Sequence, residues 1–121
     1  MVAEVKSMGI RVLVVEDEPI IALDIRQQLA NAGFEVLGPA TSVANALPFV
    51  ADPGCDVAVL NVNLGNETSE PIARKLRASG KPFVVLSGCS TDDLPPSFNG
   101  ATFLAKPTPM AELVAAVRKC I

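Results

Sequence analysis

Five short apolar runs, each followed at once by polar or turn residues, constrain the fold of this 121-residue chain more than any other feature. They cover residues 11–15, 34–38, 57–60, 83–86 and 102–105, and segments of helical length separate them. Apolar runs this short are typical of strands buried on both faces of a parallel sheet, whose strands are joined by right-handed helical crossovers. The pattern therefore predicts an α/β domain on a doubly wound, five-stranded parallel sheet.

Capping residues and apolar spacing predict four helices between and after these runs. The first begins at Pro19 and carries Ile21, Ile25 and Leu29 on its apolar face. The other three are predicted to begin at a hydroxyl-bearing N-cap, namely Ser42, then Thr68 or Ser69, and finally Thr108. The last helix, starting at Pro109, carries an apolar face made of Met110, Leu113, Val114, Val117 and Ile121.

Two other segments carry prolines that shape the prediction. Pro39 is expected to end the second strand. The fourth crossover, residues 89–100, holds Pro95, Pro96 and an Asn99–Gly100 turn, so its helix is predicted to be short or absent.

Composition excludes several classes of protein. Half of the residues are hydrophobic and the net charge is −3, so the chain lacks the basic footprint of a nucleic-acid-binding domain. No apolar run approaches the length of a membrane span. The chain has no histidine, which removes Ser-His and Cys-His nucleophiles. Its three cysteines are widely spaced, so we expect free thiols in a reducing cytoplasm.

Polar side chains that suit phosphoryl chemistry follow four of the five runs. Glu16 and Asp17 follow the first run, Asn61 the third, Ser87 the fourth and Lys106 the fifth. Because the carboxyl ends of parallel strands meet at one edge of the sheet, these side chains are expected to lie together. Paired carboxylates favour Mg²⁺, and a hydroxyl with a lysine can hold phosphoryl oxygens. Each residue alone has an ordinary structural explanation, and only the combination predicts a site.

The sequence around these residues resembles the receiver domains of bacterial two-component response regulators. The resemblance covers residues 10–121 and rests on the motifs at 14–19, 60–65, 86–88 and 106–107. It implies the flavodoxin-like (β/α)5 receiver fold and a single receiver domain over residues 1–121. Residues 1–9 are expected to be a polar lead, and no output domain is expected.

By position, the resemblance implies a role for each residue of the site. Glu16 and Asp17 are the acidic metal-binding pair, and Asn63 offers its backbone carbonyl to the same Mg²⁺. Ser87 is the hydroxyl that follows the phosphoryl group, and Lys106 is the cationic partner of that group.

Phe103 resembles the family's aromatic residue whose rotamer reports activation. The resemblance therefore implies a switch formed by Ser87 and Phe103, although a plain core aromatic explains Phe103 equally well. A Pro-rich fourth crossover further implies an altered output face.

Position 61 departs from the family, where it is the aspartate that accepts a phosphoryl group and also ligates the metal. An amide is neither anionic nor competent to form an acyl phosphate, so we expect Asn61 to block phosphorylation. Mg²⁺ should bind weakly because one acidic ligand is missing. The asparagine is either an engineered or recent change, which the intact Glu16, Asp17 and Lys106 slightly favour, or the mark of a natural pseudo-receiver.

Three hypotheses follow for the function. The first is a signalling receiver, not an enzyme in its own right, whose partners are a sensor histidine kinase or histidine phosphotransfer protein and a downstream protein. The second is an interaction module that works without phosphorylation. The third is a flavodoxin-like cofactor-binding domain, which the acidic turn after the first strand disfavours. We expect a cytoplasmic protein with no direct contact to nucleic acid or membrane, and a homodimer is compatible with the sequence.

Overall fold

A computed structural model of the chain describes residues 9–51, 54–88, 96–106 and 108–121. Its main sheet has five parallel strands, which confirms the predicted fold class. These are β1 Arg11–Val15, β2 Glu35–Ala40, β3 Val57–Asn61, β6 Phe83–Ser87 and β7 Thr102–Ala105, while β4 Asn63–Leu64 and β5 Glu67–Thr68 form a separate pair. The order in the main sheet is β2-β1-β3-β6-β7. The described residues also form four α-helices: α1 Pro19–Asn31, α2 Val43–Val50, α3 Glu70–Ala78 and α4 Met110–Lys119.

The strand order places a crevice beside the first strand. From β1 the chain runs outward to β2 on one side and then returns to β3 on the other, so the order reverses between β1 and β3. Ligands of doubly wound sheets bind at such a reversal, beyond the carboxyl ends of the strands. The residues at and after the ends of β1 and β3 therefore face a preformed crevice.

Two core layers enclose the sheet because alternate residues of each strand point to opposite faces. In β1, Leu13 and Val15 pack in the layer that includes residues of α2 and α3. Val12 and Val14 pack in the layer that includes residues of α1 and α4. The strands are thus apolar on both faces, which explains their unbroken apolar runs.

The three predicted N-caps have different outcomes. Ser42 accepts a hydrogen bond from the Asn45 backbone N–H at 3.1 Å, as predicted. Ser69 stands at the N-cap position of α3 without a side-chain capping bond, and its buried Oγ has no partner among the described residues. The predicted alternative, Thr68, accepts the Glu70 backbone N–H through its hydroxyl at 3.4 Å. The predicted cap Thr108 is wrong, because its hydroxyl donates to the Ala105 carbonyl at 2.6 Å and α4 is preceded by Pro109.

The predicted end of the second strand at Pro39 is also wrong, since β2 continues to Ala40. This strand lies at the edge of the sheet, where the missing N–H of proline can face away from the ladder. Gly38 adopts a φ of +88°, and a Cβ there would lie 2.7 Å from the Ala40 nitrogen. The glycine thus permits the irregular backbone that carries the strand through Pro39.

The fourth crossover is described only in its last part, since residues 89–95 lie outside the described residues. The described part contains a short 3₁₀ turn, Pro96–Phe98, before β7. Phe98 is fully buried in the core layer on the α2 and α3 side. The predicted lead over residues 1–9 is described only at Gly9.

The apolar faces of the first and last helices differ in part from prediction. In α1 the buried residues are Ala22, Ile25 and Leu29, whereas the predicted core residue Ile21 is 37% exposed. In α4 the predicted Ile121 follows the helix and is 47% exposed. Within the described residues, no helix has both the length and the apolar character needed to cross a bilayer.

Candidate functional site

The strand ends bring the predicted site residues to one edge of the sheet. Glu16 follows β1, Asn61 ends β3, Ser87 ends β6 and Lys106 follows β7. Glu16, Asn61 and Ser87 are 1%, 8% and 6% exposed, respectively. Three polar side chains are therefore almost completely removed from water in an otherwise aliphatic sheet, and such groups need polar partners.

The side-chain amide of Asn61 provides the central contacts. Its Nδ2 donates to the backbone carbonyl of Asn63 at 2.7 Å, to Glu16 Oε2 at 3.3 Å and to Asp17 Oδ1 at 3.4 Å. All three partners are oxygen acceptors, so the nitrogen of the amide, and not its oxygen, must face them. The amide nitrogen thus lies at the point where two carboxylates and a carbonyl converge.

Glu16 is the most constrained acid of the site. Its Oε1 lies 3.3 Å from the Lys106 ammonium, whose side chain is 28% exposed. Its Oε2 also accepts the Glu18 backbone N–H at 3.2 Å. Burial raises the pKa of Glu16, while the Glu18 N–H and Lys106 act in the opposite direction. Desolvation therefore outweighs the partners of this carboxylate.

This pKa shift predicts a pH dependence of stability. Because the folded state binds the Glu16 proton more tightly than the unfolded state does, stability should fall as pH rises from about 4.5 through the raised pKa. The loss should reach at most about 1.4 kcal/mol per pH unit. Urea unfolding at a series of pH values should show this slope in the native chain and lose it in Glu16→Gln. Identical slopes in the two proteins would contradict the assignment.

A small hairpin that the sequence analysis does not predict carries Asn63. Strands β4 Asn63–Leu64 and β5 Glu67–Thr68 are antiparallel and pair Asn63 with Thr68. A left-handed Gly65, with φ of +65°, makes the tight connection. A Gly-Asn pair such as Gly65–Asn66 is typical of a hairpin turn, and this turn between two short segments is the signal that could have revealed the hairpin.

The remaining predicted residues take different positions. The backbone N–H of Lys106 donates to the Ser87 carbonyl at 3.0 Å, which fixes the ends of β6 and β7 side by side. Phe103 lies on β7 opposite Val85 and is partly buried against the core layer on the α2 and α3 side. The structure thus links Glu16, Asp17, Asn61, the Asn63 carbonyl and Lys106 through hydrogen bonds and one ion pair. Strand register places Ser87 beside Lys106, and Phe103 lies at the edge of the core.

The donor set fits a hard divalent cation, with one limitation. Two carboxylates and one backbone carbonyl are the oxygen ligands that Mg²⁺ takes in proteins. Among the described residues, however, no group of three or more acidic or thiol side chains is placed to hold a metal ion. Glu16 and Asp17 would be the anionic ligands, and the Asn61 N–H groups would have to turn away.

Comparison with known proteins identifies relatives of this arrangement. A sequence profile of the response regulator receiver domain matches residues 12–118. The transcriptional regulatory protein PdtaR of Mycobacterium tuberculosis is 29% identical over 118 residues, which cover 92% of this chain and 56% of PdtaR. The chain therefore spans little more than half the length of this relative.

Solved structures agree with the profile. SdrG from Sphingomonas melonis is 39% identical with a TM-score of 0.73, over 89% of this chain and 95% of SdrG. The response regulator protein TrrA from Thermotoga maritima, in complex with Mg²⁺-BeF, has a TM-score of 0.80 over 93% of this chain and 99% of TrrA. At 23% identity, the second comparison speaks for the fold alone.

Proposed function

This chain belongs to the response regulator receiver domain family, and from that premise we propose that Asn61 occupies the phosphoacceptor position and that the domain signals without forming an acyl phosphate. The observation that carries the proposal is the Asn61 amide nitrogen, which donates to Glu16, Asp17 and the Asn63 carbonyl. An acceptor at the end of β3 would instead present a free carboxylate oxygen to the crevice.

The chemistry of the amide explains why transfer should fail. Phosphoryl transfer to a receiver forms a bond from a carboxylate oxygen to phosphorus while the bond to the donor breaks. The Asn61 oxygen is neutral, and the nitrogen is a hydrogen-bond donor without nucleophilic character. Neither atom is a strong enough nucleophile to form the new bond to phosphorus. We therefore propose no self-phosphorylation and no turnover by this domain.

The other site residues retain the features of a phosphoryl-binding site. Lys106 offers an ammonium beside Glu16, and Ser87 ends the neighbouring strand. A bound Mg²⁺ would neutralise the charge of a phosphoryl group or of a mimic of one. Glu16, Asp17 and the Asn63 carbonyl would hold it, more weakly than in a relative with a third carboxylate. We place the domain in the cytoplasm, where Cys55 and Cys120 remain free thiols.

The experiment compares the native chain with Asn61→Asp in the presence of a small phosphodonor and Mg²⁺. The native chain should keep its mass, whereas Asn61→Asp should gain one phosphoryl group. Phosphorylation of the native chain would overturn the proposal.

A second candidate function, protein interaction independent of phosphorylation, is favoured by the surface between α1 and α4. A groove of about 740 Å³ lies there, and its apolar walls are Ile20, Ile21, Ile25, Leu86 and Met110. Ile20, one of these walls, is 84% exposed. The groove is therefore open at the surface, which suits a protein segment better than a small molecule.

The charges around this groove indicate the chemistry of the partner. Asp24 lines the groove and Glu18 is exposed at the start of α1, while Lys106, which also lines the groove, is paired with Glu16. An amphipathic helix with an apolar ridge flanked by Lys or Arg would complement this surface. Histidine kinases and phosphotransfer proteins are the partners of receivers, so we assign the groove to a helix of that kind.

Ile20→Ser tests this assignment. Because Ile20 is 84% exposed, its replacement should change the free energy of unfolding by less than about 0.5 kcal/mol. Binding to a phosphotransfer protein that recognises the native chain should weaken at least about tenfold, as for an interface anchor. Leu23→Ser is the matched control, because Leu23 lies on the same helix but does not line the groove. If calorimetric titration shows equal affinities of the partner for the native chain and for Ile20→Ser, the assignment of the groove as the binding surface is wrong.

A further inference from the structure

A long-range hydrogen bond connects the loop beyond the site to the start of α2. The Glu67 carboxylate accepts the Val43 backbone N–H at 3.0 Å, across 24 residues of sequence. Ser42 already caps the same helix by accepting the Asn45 N–H at 3.1 Å. Two acceptors therefore serve one helix start, and the anionic one comes from a different part of the chain. The positive end of the helix dipole favours a carboxylate there.

Glu67 belongs to the same hairpin that supplies a carbonyl to the site. In this hairpin Glu67 pairs with Leu64, and Asn63 pairs with Thr68. The Asn63 carbonyl accepts the shortest of the three bonds from the Asn61 amide, at 2.7 Å. Leu64 is 4% exposed and packs in the core layer on the α2 and α3 side. The hairpin is thus attached to the core by Leu64, to the site by Asn63 and to α2 by Glu67.

We propose that Glu67 is a positioning residue for the site, which holds the hairpin against α2 and thereby keeps the Asn63 carbonyl directed at Asn61. A two-stranded ribbon of this size has little stability of its own and needs such external contacts. The role differs from simple helix capping, which Ser42 supplies locally. The consequence for metal binding rests on the proposed function, whereas the contact between Asn63 and Asn61 does not.

The chain offers a matched pair of variants to separate the two roles. Glu67→Ala removes the long-range acceptor, and Ser42→Ala removes the local acceptor of the same helix. If Glu67 acts only as a cap of α2, the two variants should affect the site equally. Glu67→Gln keeps an acceptor oxygen without the charge and should restore most of the native behaviour.

The first readout uses the native Asn61 side chain, observed by ¹⁵N NMR. Glu67→Ala should increase hydrogen exchange of the Asn61 side-chain amide by about tenfold, because the shortest of its hydrogen bonds loses alignment. Ser42→Ala should leave this exchange unchanged, although it destabilises α2. Equal effects of Glu67→Ala and Ser42→Ala, or no effect of Glu67→Ala, would overturn the proposal.

The second readout is the affinity for Mg²⁺ in the Asn61→Asp background, measured by NMR titration with the metal alone. Adding Glu67→Ala should weaken binding by about tenfold, as for loss of a residue that orients a metal ligand. Adding Ser42→Ala should not change it. If Asn61→Asp binds no Mg²⁺ at all, the proposed function fails, while the exchange of the Asn61 amide still decides the role of Glu67.

Discussion

Asn61→Asp should convert a domain that takes up no phosphoryl group into one that takes up a single group from a small phosphodonor in the presence of Mg²⁺. The single change restores an anionic oxygen at the end of β3, beside Glu16 and Asp17. Lys106 is already in place as a cation for the phosphoryl oxygens. The remaining parts of the site therefore need no rearrangement beyond the loss of the hydrogen bonds that the Asn61 amide donates.

Asn63→Asp is the matched control for this gain. It makes the same chemical change two residues away, at an exposed side chain whose backbone carbonyl, and not its side chain, faces the site. Intact mass should show one phosphoryl group on Asn61→Asp and none on Asn63→Asp. An Asn61→Asp protein that folds, binds Mg²⁺ and still remains unmodified would contradict the assignment of position 61.

Asn61→Asp should also make the stability of the domain depend on Mg²⁺. In the native chain the amide donates hydrogen bonds to two carboxylates and one carbonyl. The substitution removes these donors and adds a third carboxylate at the same point, so like charges face one another. A hydrogen bond to a charged group contributes about 1.5–3 kcal/mol. We therefore expect a loss of about 2 kcal/mol or more in the presence of a chelator.

Millimolar Mg²⁺ should restore the lost stability of Asn61→Asp, because the metal then neutralises the carboxylates to which the Asn61 amide donates in the native chain. The native chain should respond little to the metal, since its site already contains internal donors. Chemical unfolding of the native chain, Asn61→Asp and Asn63→Asp, each with Mg²⁺ and with chelator, measures both effects. A native chain that is strongly stabilised by Mg²⁺, or an Asn61→Asp protein as stable as the native chain under chelator, would contradict this account.

The strands and the site could be predicted because their physical causes are local. A strand such as Val12 to Val15 can be apolar on both faces because helices cover both faces of the sheet. Such runs therefore predict a parallel sheet with a helical layer on each side. The carboxyl ends of parallel strands then bring Glu16, Asn61 and Lys106 together whatever the details of the loops. The site was therefore predictable from strand ends and a family resemblance.

The features that differ from the sequence prediction depend on competing contacts, some of them local and some between distant segments. Threonine is a common N-cap residue, but the Thr108 hydroxyl donates to the Ala105 carbonyl instead. Ile21 has the spacing of a core residue, yet it lines the surface groove between α1 and α4. The hydrogen bond from the Val43 N–H to the Glu67 carboxylate joins segments 24 residues apart, and no local pattern predicts it. Capping preference and apolar period are weak guides where a neighbouring element competes.

The central claim, that Asn61 prevents acyl-phosphate formation in the native chain, is tested most directly in a single reaction. The native chain, labelled with ¹⁵N, and unlabelled Asn61→Asp are mixed in one tube with Mg²⁺ and an excess of phosphodonor. Intact mass distinguishes the two proteins and reports each under identical conditions. We predict that only Asn61→Asp gains a phosphoryl group; a labelled native chain that gains one to a similar extent would contradict the account.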